Sequence, residues 1–128
     1  MSTAKKKILV VDDEPSLTRM LQRNLEGTGK YEVRAENSGA AGLAAARAFH
    51  PDFILLDVMM PGMDGGEVAA QIRDDAALKN IPIVFLTAIV QKDETAATGS
   101  VIGGCEYLAK PVQFEDLITC VEKHIGKS

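Results

Sequence analysis

Phe53-Ile54-Leu55-Leu56-Asp57-Val58-Met59-Met60-Pro61-Gly62-Met63-Asp64-Gly65 is the stretch that decides the fold. Large apolar residues run without a break into one carboxylate, and a turn rich in Pro and Gly follows. Such a run suits a strand buried on both faces, as in a parallel sheet covered by helices. Asp57 then stands at the carboxyl end of the strand, the edge where open α/β sheets bind their ligands.

Similar units lie on either side. Lys7-Ile8-Leu9-Val10-Val11 is a β-branched run that ends in Asp12-Asp13-Glu14. Pro15 marks the first turn of a helix, Leu17, Met20, Leu21 and Leu25 follow at helical spacing, and Gly27 closes it. Tyr31, Val33 and Ala35 alternate with Glu32, Arg34 and Glu36, the period of a half-exposed strand near the sheet edge. Ser38 is placed to cap an alanine-rich helix from Ala40 to Phe49. After Asp57 a helix is expected around Gly66 to Asp75, with Val68 and Ile72 inward. Ile81-Pro82-Ile83-Val84-Phe85-Leu86 is a third apolar run and ends in Thr87; Pro82 sits near its start, where a strand tolerates a missing donor. Gln91 to Ile102 reads as a poorly specified helix, because Thr95, Thr98, Gly99 and Ser100 together cost about 2–3 kcal/mol of propensity relative to alanine. Tyr107-Leu108-Ala109 is a short strand ending in Lys110-Pro111, and Phe114, Leu117, Ile118, Val121 and Ile125 form the apolar stripe of a terminal helix.

Five strand-like units, each followed by a helix, imply an α/β fold: a doubly wound (βα)5 parallel sheet with right-handed crossovers and helices on both faces. In a flavodoxin-like three-layer sandwich of strand order 2-1-3-4-5, strands one and three meet at the switch point. Asp12, Asp13, Asp57, Thr87 and Lys110 then gather at one edge of the sheet.

The bulk properties restrict the function. A chain of 128 residues suits one domain with one core, here about residues 6–125. Hydrophobic content of 46% and charged content of 25% are ordinary for a globular protein. A net charge of −4 argues against direct binding to nucleic acid, which needs a basic face. No apolar run approaches the roughly 20 residues of a membrane span, and the basic start is followed by too few apolar residues for a secretory segment. A cytoplasmic location is expected. Cys105 and Cys120 form neither a CxxC pair nor a disulfide framework and read as small hydrophobes, while His50 and His124 read as surface residues.

Three carboxylates held close together cannot all stay ionised without a cation, and one lysine leaves an excess of negative charge. A hard divalent ion would balance it, and carboxylate oxygens plus water suit Mg2+. A site so neutralised, with a lysine and a hydroxyl nearby, would accept a phosphoryl group on Asp57. Any one of these residues alone has a plainer reading. Asp64 belongs to the turn before Gly65, Glu14 can serve only a helix dipole, and Lys110 and Thr87 could be ordinary strand-end residues. No such reading explains five of them at the ends of four strands.

Here the chain resembles the receiver domains of two-component response regulators, in the manner of the single-domain chemotaxis type. The resemblance rests on Val10-Val11-Asp12-Asp13-Glu14-Pro15, Leu56-Asp57-Val58-Met59-Met60-Pro61-Gly62-Met63-Asp64-Gly65, Leu86-Thr87-Ala88 and Tyr107-Leu108-Ala109-Lys110-Pro111. It implies that Asp57 accepts a phosphoryl group from a sensor histidine kinase or phosphotransfer protein. It implies that Asp13, Asp57 and the Met59 backbone carbonyl bind Mg2+ directly, that Asp12 acts largely through water, and that Mn2+ can substitute. It makes Lys110 the partner of the phosphoryl oxygens across a cis Lys110-Pro111 bond, and Thr87 and Tyr107 the switch residues. Such a domain is a phosphoprotein of a phosphorelay, an enzyme only toward its own Mg2+-dependent phosphorylation and slow autodephosphorylation. The strand order also belongs to this resemblance.

Two departures stand out. The region from Thr87 to Lys110 is one residue longer than the family pattern and lacks an amphipathic period, so a distorted or mobile fourth helix is expected. Met59 and Ile89, bordering the phosphoryl site, are apolar and cannot orient water by hydrogen bonding, so slow dephosphorylation is expected. Among rivals, a haloacid-dehalogenase phosphatase needs an aspartate where Met59 stands. A flavodoxin-like cofactor binder would have its phosphate repelled by Asp12-Asp13-Glu14. A degenerate receiver acting only as an interaction module keeps the same fold without phosphorylation. Only Gly126-Lys127-Ser128 follow the last helix, so no output domain is expected within this sequence, whether it is a stand-alone receiver or an excised domain; a monomer is the default, with weak phosphorylation-dependent dimerisation as the alternative.

Overall fold

Strand β3 (Phe53–Asp57) is buried at every residue, as its continuous apolar run demands. The computed structural model describes residues 5–87, 100–102 and 105–125. In chain order the remaining elements are β1 (Lys6–Val11), α1 (Pro15–Glu26), β2 (Tyr31–Glu36), α2 (Gly39–Phe49), α3 (Gly65–Arg73), β4 (Ile83–Thr87), β5 (Ser100–Ile102), β6 (Cys105–Ala109) and α4 (Phe114–Ile125). One sheet runs in the order β2-β1-β3-β4-β6-β5. The first five of these strands are parallel, which is the expected 2-1-3-4-5 arrangement counted over parallel strands.

β5 corrects the sequence reading. Ser100–Ile102 pairs antiparallel with β6 and extends the sheet edge, where a helix reaching Ile102 was expected. Three residues after a Gly, with helix propensity already poor, take their conformation from the ladder that β6 offers. The rest of that expected helix, Gln91 to Gly99, lies outside the described residues, as does Ile89.

Alternate side chains of the central strands feed two cores. Ile8, Val10, Leu55 and Leu86 pack with Leu21 and Leu25 of α1 and Leu117, Cys120 and Val121 of α4. Leu9, Val11, Ile54 and Leu56 pack with Leu43 and Ala46 of α2 and Val68 and Ile72 of α3. The apolar stripes of α1 and α4 differ from expectation at their edges. Thr18 is buried while Met20 is exposed, and Phe114, the first residue of α4, is 48% exposed rather than part of the core. His124 is half-buried rather than free on the surface. Its Nδ1 lies 2.9 Å from the Cys120 carbonyl one helical turn back, and its ring tilts against Phe53. His50 is exposed as expected and closes α2 in a left-handed conformation. Gly27 ends α1, but the left-handed residue there is Gly29 (φ 81°).

Register brings the chemistry together. Val11 pairs with Leu56, Asp57 with Leu86, and Thr87 with Ala109, so the carboxyl ends of β1, β3, β4 and β6 finish nearly level.

Candidate functional site

Asp12, the residue after β1, has no exposed surface, yet each of its polar groups has a neighbour. Its N–H donates to the Glu36 carbonyl (3.1 Å), its carbonyl accepts from Asn37 Nδ2 (2.8 Å), and its Oδ1 accepts from the Glu14 N–H (2.9 Å). Its Oδ2 lies 2.7 Å from Lys110 Nζ. The two groups form a close ion pair with the carboxylate fully buried.

Asp57 ends β3 with 3% of its surface exposed. Its Oδ1 accepts a long hydrogen bond from the Met59 N–H (3.3 Å) and stands 3.4 Å from the same Lys110 ammonium. Burial pushes the Asp57 carboxyl above its ordinary value, and the charge of Asp12 pushes the same way; Lys110 and the Met59 N–H only partly oppose this. For Lys110, burial pulls the ammonium down, but contact with Asp12 and then Asp57 outweighs it, and the net shift is upward. The lysine is a fixed positive charge shared between two carboxylates.

Asp13 is exposed and completes the cluster. Carboxylate oxygens of Asp12, Asp13 and Asp57 all lie within 4.8 Å of one another. A lone cation fits this set on chemical grounds. The donors are hard oxygens, the charge excess is negative, and burial together with the charge of Asp12 holds the Asp57 carboxyl above its ordinary value.

The other expected residues sit around this centre. Thr87 is buried at the end of β4, and its carbonyl accepts from the Lys110 N–H (2.9 Å), tying the ends of β4 and β6 together. Tyr107 is buried one pleat earlier, opposite Phe85, rather than within the carboxylate cluster. The Lys110-Pro111 peptide is cis. Met59 is 61% exposed and helps line an open pocket of about 520 Å3 with Val58, Met60, Pro61, Asp64 and Gly66. Asp64 does more than turn the chain, since its carboxylate caps α3 by accepting from the Glu67 N–H (2.9 Å). Gly62 has the positive φ (80°) that the turn requires. A Cβ at Gly65 would overlap the carbonyl oxygen of Asp57, so this loop packs directly under Asp57.

Sequence reasoning missed Asn37 and Thr18. The Asn37 amide bridges the Asp12 carbonyl and the Thr18 hydroxyl (3.0 Å), and Thr18 Oγ1 donates to the Pro15 carbonyl (3.1 Å). The only sequence signal for Asn37 was a polar residue where β2 ends.

The family model of the response regulator receiver domain matches residues 8–122. The chain belongs to this family. This receiver domain is similar to the DNA-binding response regulator MtrA of Mycolicibacterium smegmatis, with 37% identity over 130 aligned residues that take in 100% of the chain but 54% of MtrA. It is also similar to the polar-differentiation response regulator DivK of Brucella ovis, with 32% identity over 122 residues, covering 94% of the chain and 97% of DivK. Among solved structures, the Vibrio cholerae chemotaxis protein CheY4 superposes with a TM-score of 0.80 at 32% identity, covering 94% of the chain and 99% of CheY4. A response regulator from Chloroflexus aurantiacus gives 0.82 at 31% identity, covering 97% and 100%. Receiver domains belong to two-component systems, phosphoryl acceptance is the function of the family, and they bind Mg2+ at an acidic pocket. They are not enzymes in the ordinary sense. No helix among the described residues is long and apolar enough to cross a membrane.

Proposed function

We propose that Asp57 is the phosphoryl acceptor of this receiver domain. The convergence of three carboxylates within 4.8 Å, with one ammonium in contact with two of them, carries the reading. A carboxylate oxygen of Asp57 attacks the phosphorus of a phosphohistidine on a sensor kinase or phosphotransfer protein. The O–P bond forms as the P–N bond breaks, and the imidazole leaves with the electron pair and takes up a proton. Asp13 and Asp57, with the Met59 backbone carbonyl, would hold Mg2+ directly, Asp12 would act through water, and Mn2+ would substitute. Bound there, the ion would supply positive charge against the negative charge that the phosphoryl oxygens bring into the site.

Lys110 is already poised between Asp12 and Asp57, so a phosphoryl oxygen can take over one of its two contacts without the lysine leaving the site. Thr87 is the hydroxyl that follows the new charge, and Tyr107 changes rotamer with it; a full population swing needs roughly 5.5 kcal/mol of differential contact. We assign no further reaction to the domain beyond its own phosphorylation and slow dephosphorylation. Residues 6–125 act as one unit in the cytoplasm, relaying the signal by contact with a protein partner rather than with nucleic acid, as a monomer or a weak phosphorylation-dependent dimer.

Mg2+ with beryllofluoride, a phosphoryl mimic, tests this. The expected result is a change in amide signals at Asp57, Thr87 and Tyr107 that is lost in Asp57→Ala. No change in the parent chain would favour the inert interaction module instead.

A further inference from the structure

We propose that Asn37 is a positioning residue that aims Asp13 at the cation site, an inference that rests on the Mg2+ reading above. Asn37 follows β2 directly, and its Nδ2 lies 2.8 Å from the Asp12 carbonyl and 3.0 Å from Thr18 Oγ1. A carbonyl can only accept, so the amide is oriented unambiguously with its nitrogen toward Asp12. Thr18 is buried and spends its own proton on the Pro15 carbonyl, which leaves its lone pair for Asn37. One side chain thus joins the end of β2, the end of β1 and the first turn of α1.

The bond to the Asp12 carbonyl matters because that carbonyl shares a rigid peptide plane with the N–H of Asp13. Fixing its direction fixes the plane from which the Asp13 side chain departs. The Asp12 carboxylate does not need this help, since Glu14 N–H and Lys110 hold its two oxygens. Among the described residues, no hydrogen bond or ion pair holds the exposed carboxylate of Asp13. Its aim toward Asp57 comes from the backbone, and Asn37 is the side chain that sets that backbone. Groups of this kind, one step removed from a metal, orient its ligands and change affinity when lost.

Titration of the full chain with Mg2+ alone, followed through the amide signals of Asp13 and Met59, tests the assignment. Asn37→Ala is expected to weaken Mg2+ binding about tenfold, while amide signals remote from the site keep their positions. Asn37→Leu fills the same space without a donor and is expected to match it, so it carries the test if the alanine variant does not fold. A merely structural role would lower thermal stability yet leave the Mg2+ affinity, measured well below the melting temperature, unchanged; that result overturns the inference. A parent chain that binds no Mg2+ overturns the metal site itself and this inference with it, whereas equal binding by parent and variants overturns only the role of Asn37.

Discussion

As the proposed acceptor, Asp57 combines two demands that conflict: it must be buried to be protected and ionised to be a nucleophile. Its carboxyl lies above the ordinary 3.8 because burial and Asp12 together outweigh Lys110. Between 3.8 and the raised value the native state holds a proton that the unfolded state has released. The stability associated with Asp57 is therefore fully present below 3.8 and lost as pH rises through the folded value. Lys110 has the same sign at alkaline pH: its contribution is present below 10.5 and lost as pH rises through its own raised value. Denaturant unfolding in a metal chelator should show Asp57→Asn more stable than the parent at neutral pH, with the gap closing below pH 3.8 and shrinking when Mg2+ is added. Met59 sits beside Asp57 with most of its side chain in solvent and nothing to offer a water. Replacing it with Asn, together with Ile89→Glu, would supply an orienting hydrogen bond of about 1 kcal/mol, or roughly a fivefold faster loss of phosphate. The decay of the phosphorylated form, followed by intact mass, checks this.

The elements show where packing and chemistry meet. The β3–α3 loop packs under Asp57 at Gly65, so Gly65→Ala must push the Asp57 carbonyl away. It should cost about 1–3 kcal/mol in thermal unfolding and slow phosphorylation as well. On α4, Leu117 is fully buried and Phe114 is not. Leu117→Ala should cost about 2–5 kcal/mol, while Phe114→Ala should stay within about 0.5 kcal/mol. β3 could be read from its residues because a strand buried on both faces leaves an unbroken apolar run. The end of α4 nearest Lys110 could not, because the helical period runs on through Phe114 while the core beneath it stops. β5 was hidden for another reason: Ser100-Val101-Ile102 carries no period of its own, and its pairing with β6 makes it a strand. Asn37 was invisible because its partners lie 25 and 19 positions away in the chain. Residues whose roles follow from strand ends were legible; those whose roles follow from bonds between loops were not.

At the scale of the molecule, parallel strands ending level turn separate carboxylates and a lysine into one site. A doubly wound sheet does this because its switch point leaves a crevice between β1 and β3, and the register places Asp12 beside Asp57 within it. The helices on both faces keep those strands dry, so charge at their ends is poorly screened and each new charge is strongly felt. A phosphoryl group on Asp57 would enter where Lys110 already waits and where the ends of β4 and β6 are bonded through Thr87 and Lys110. Intact-mass measurement after incubation with acetyl phosphate and Mg2+ tests the central claim most directly. The expected result is a gain of one phosphoryl group, labile to hydroxylamine, absent without Mg2+ and absent in Asp57→Asn. An unmodified parent chain, or an adduct that persists in Asp57→Asn, would contradict it.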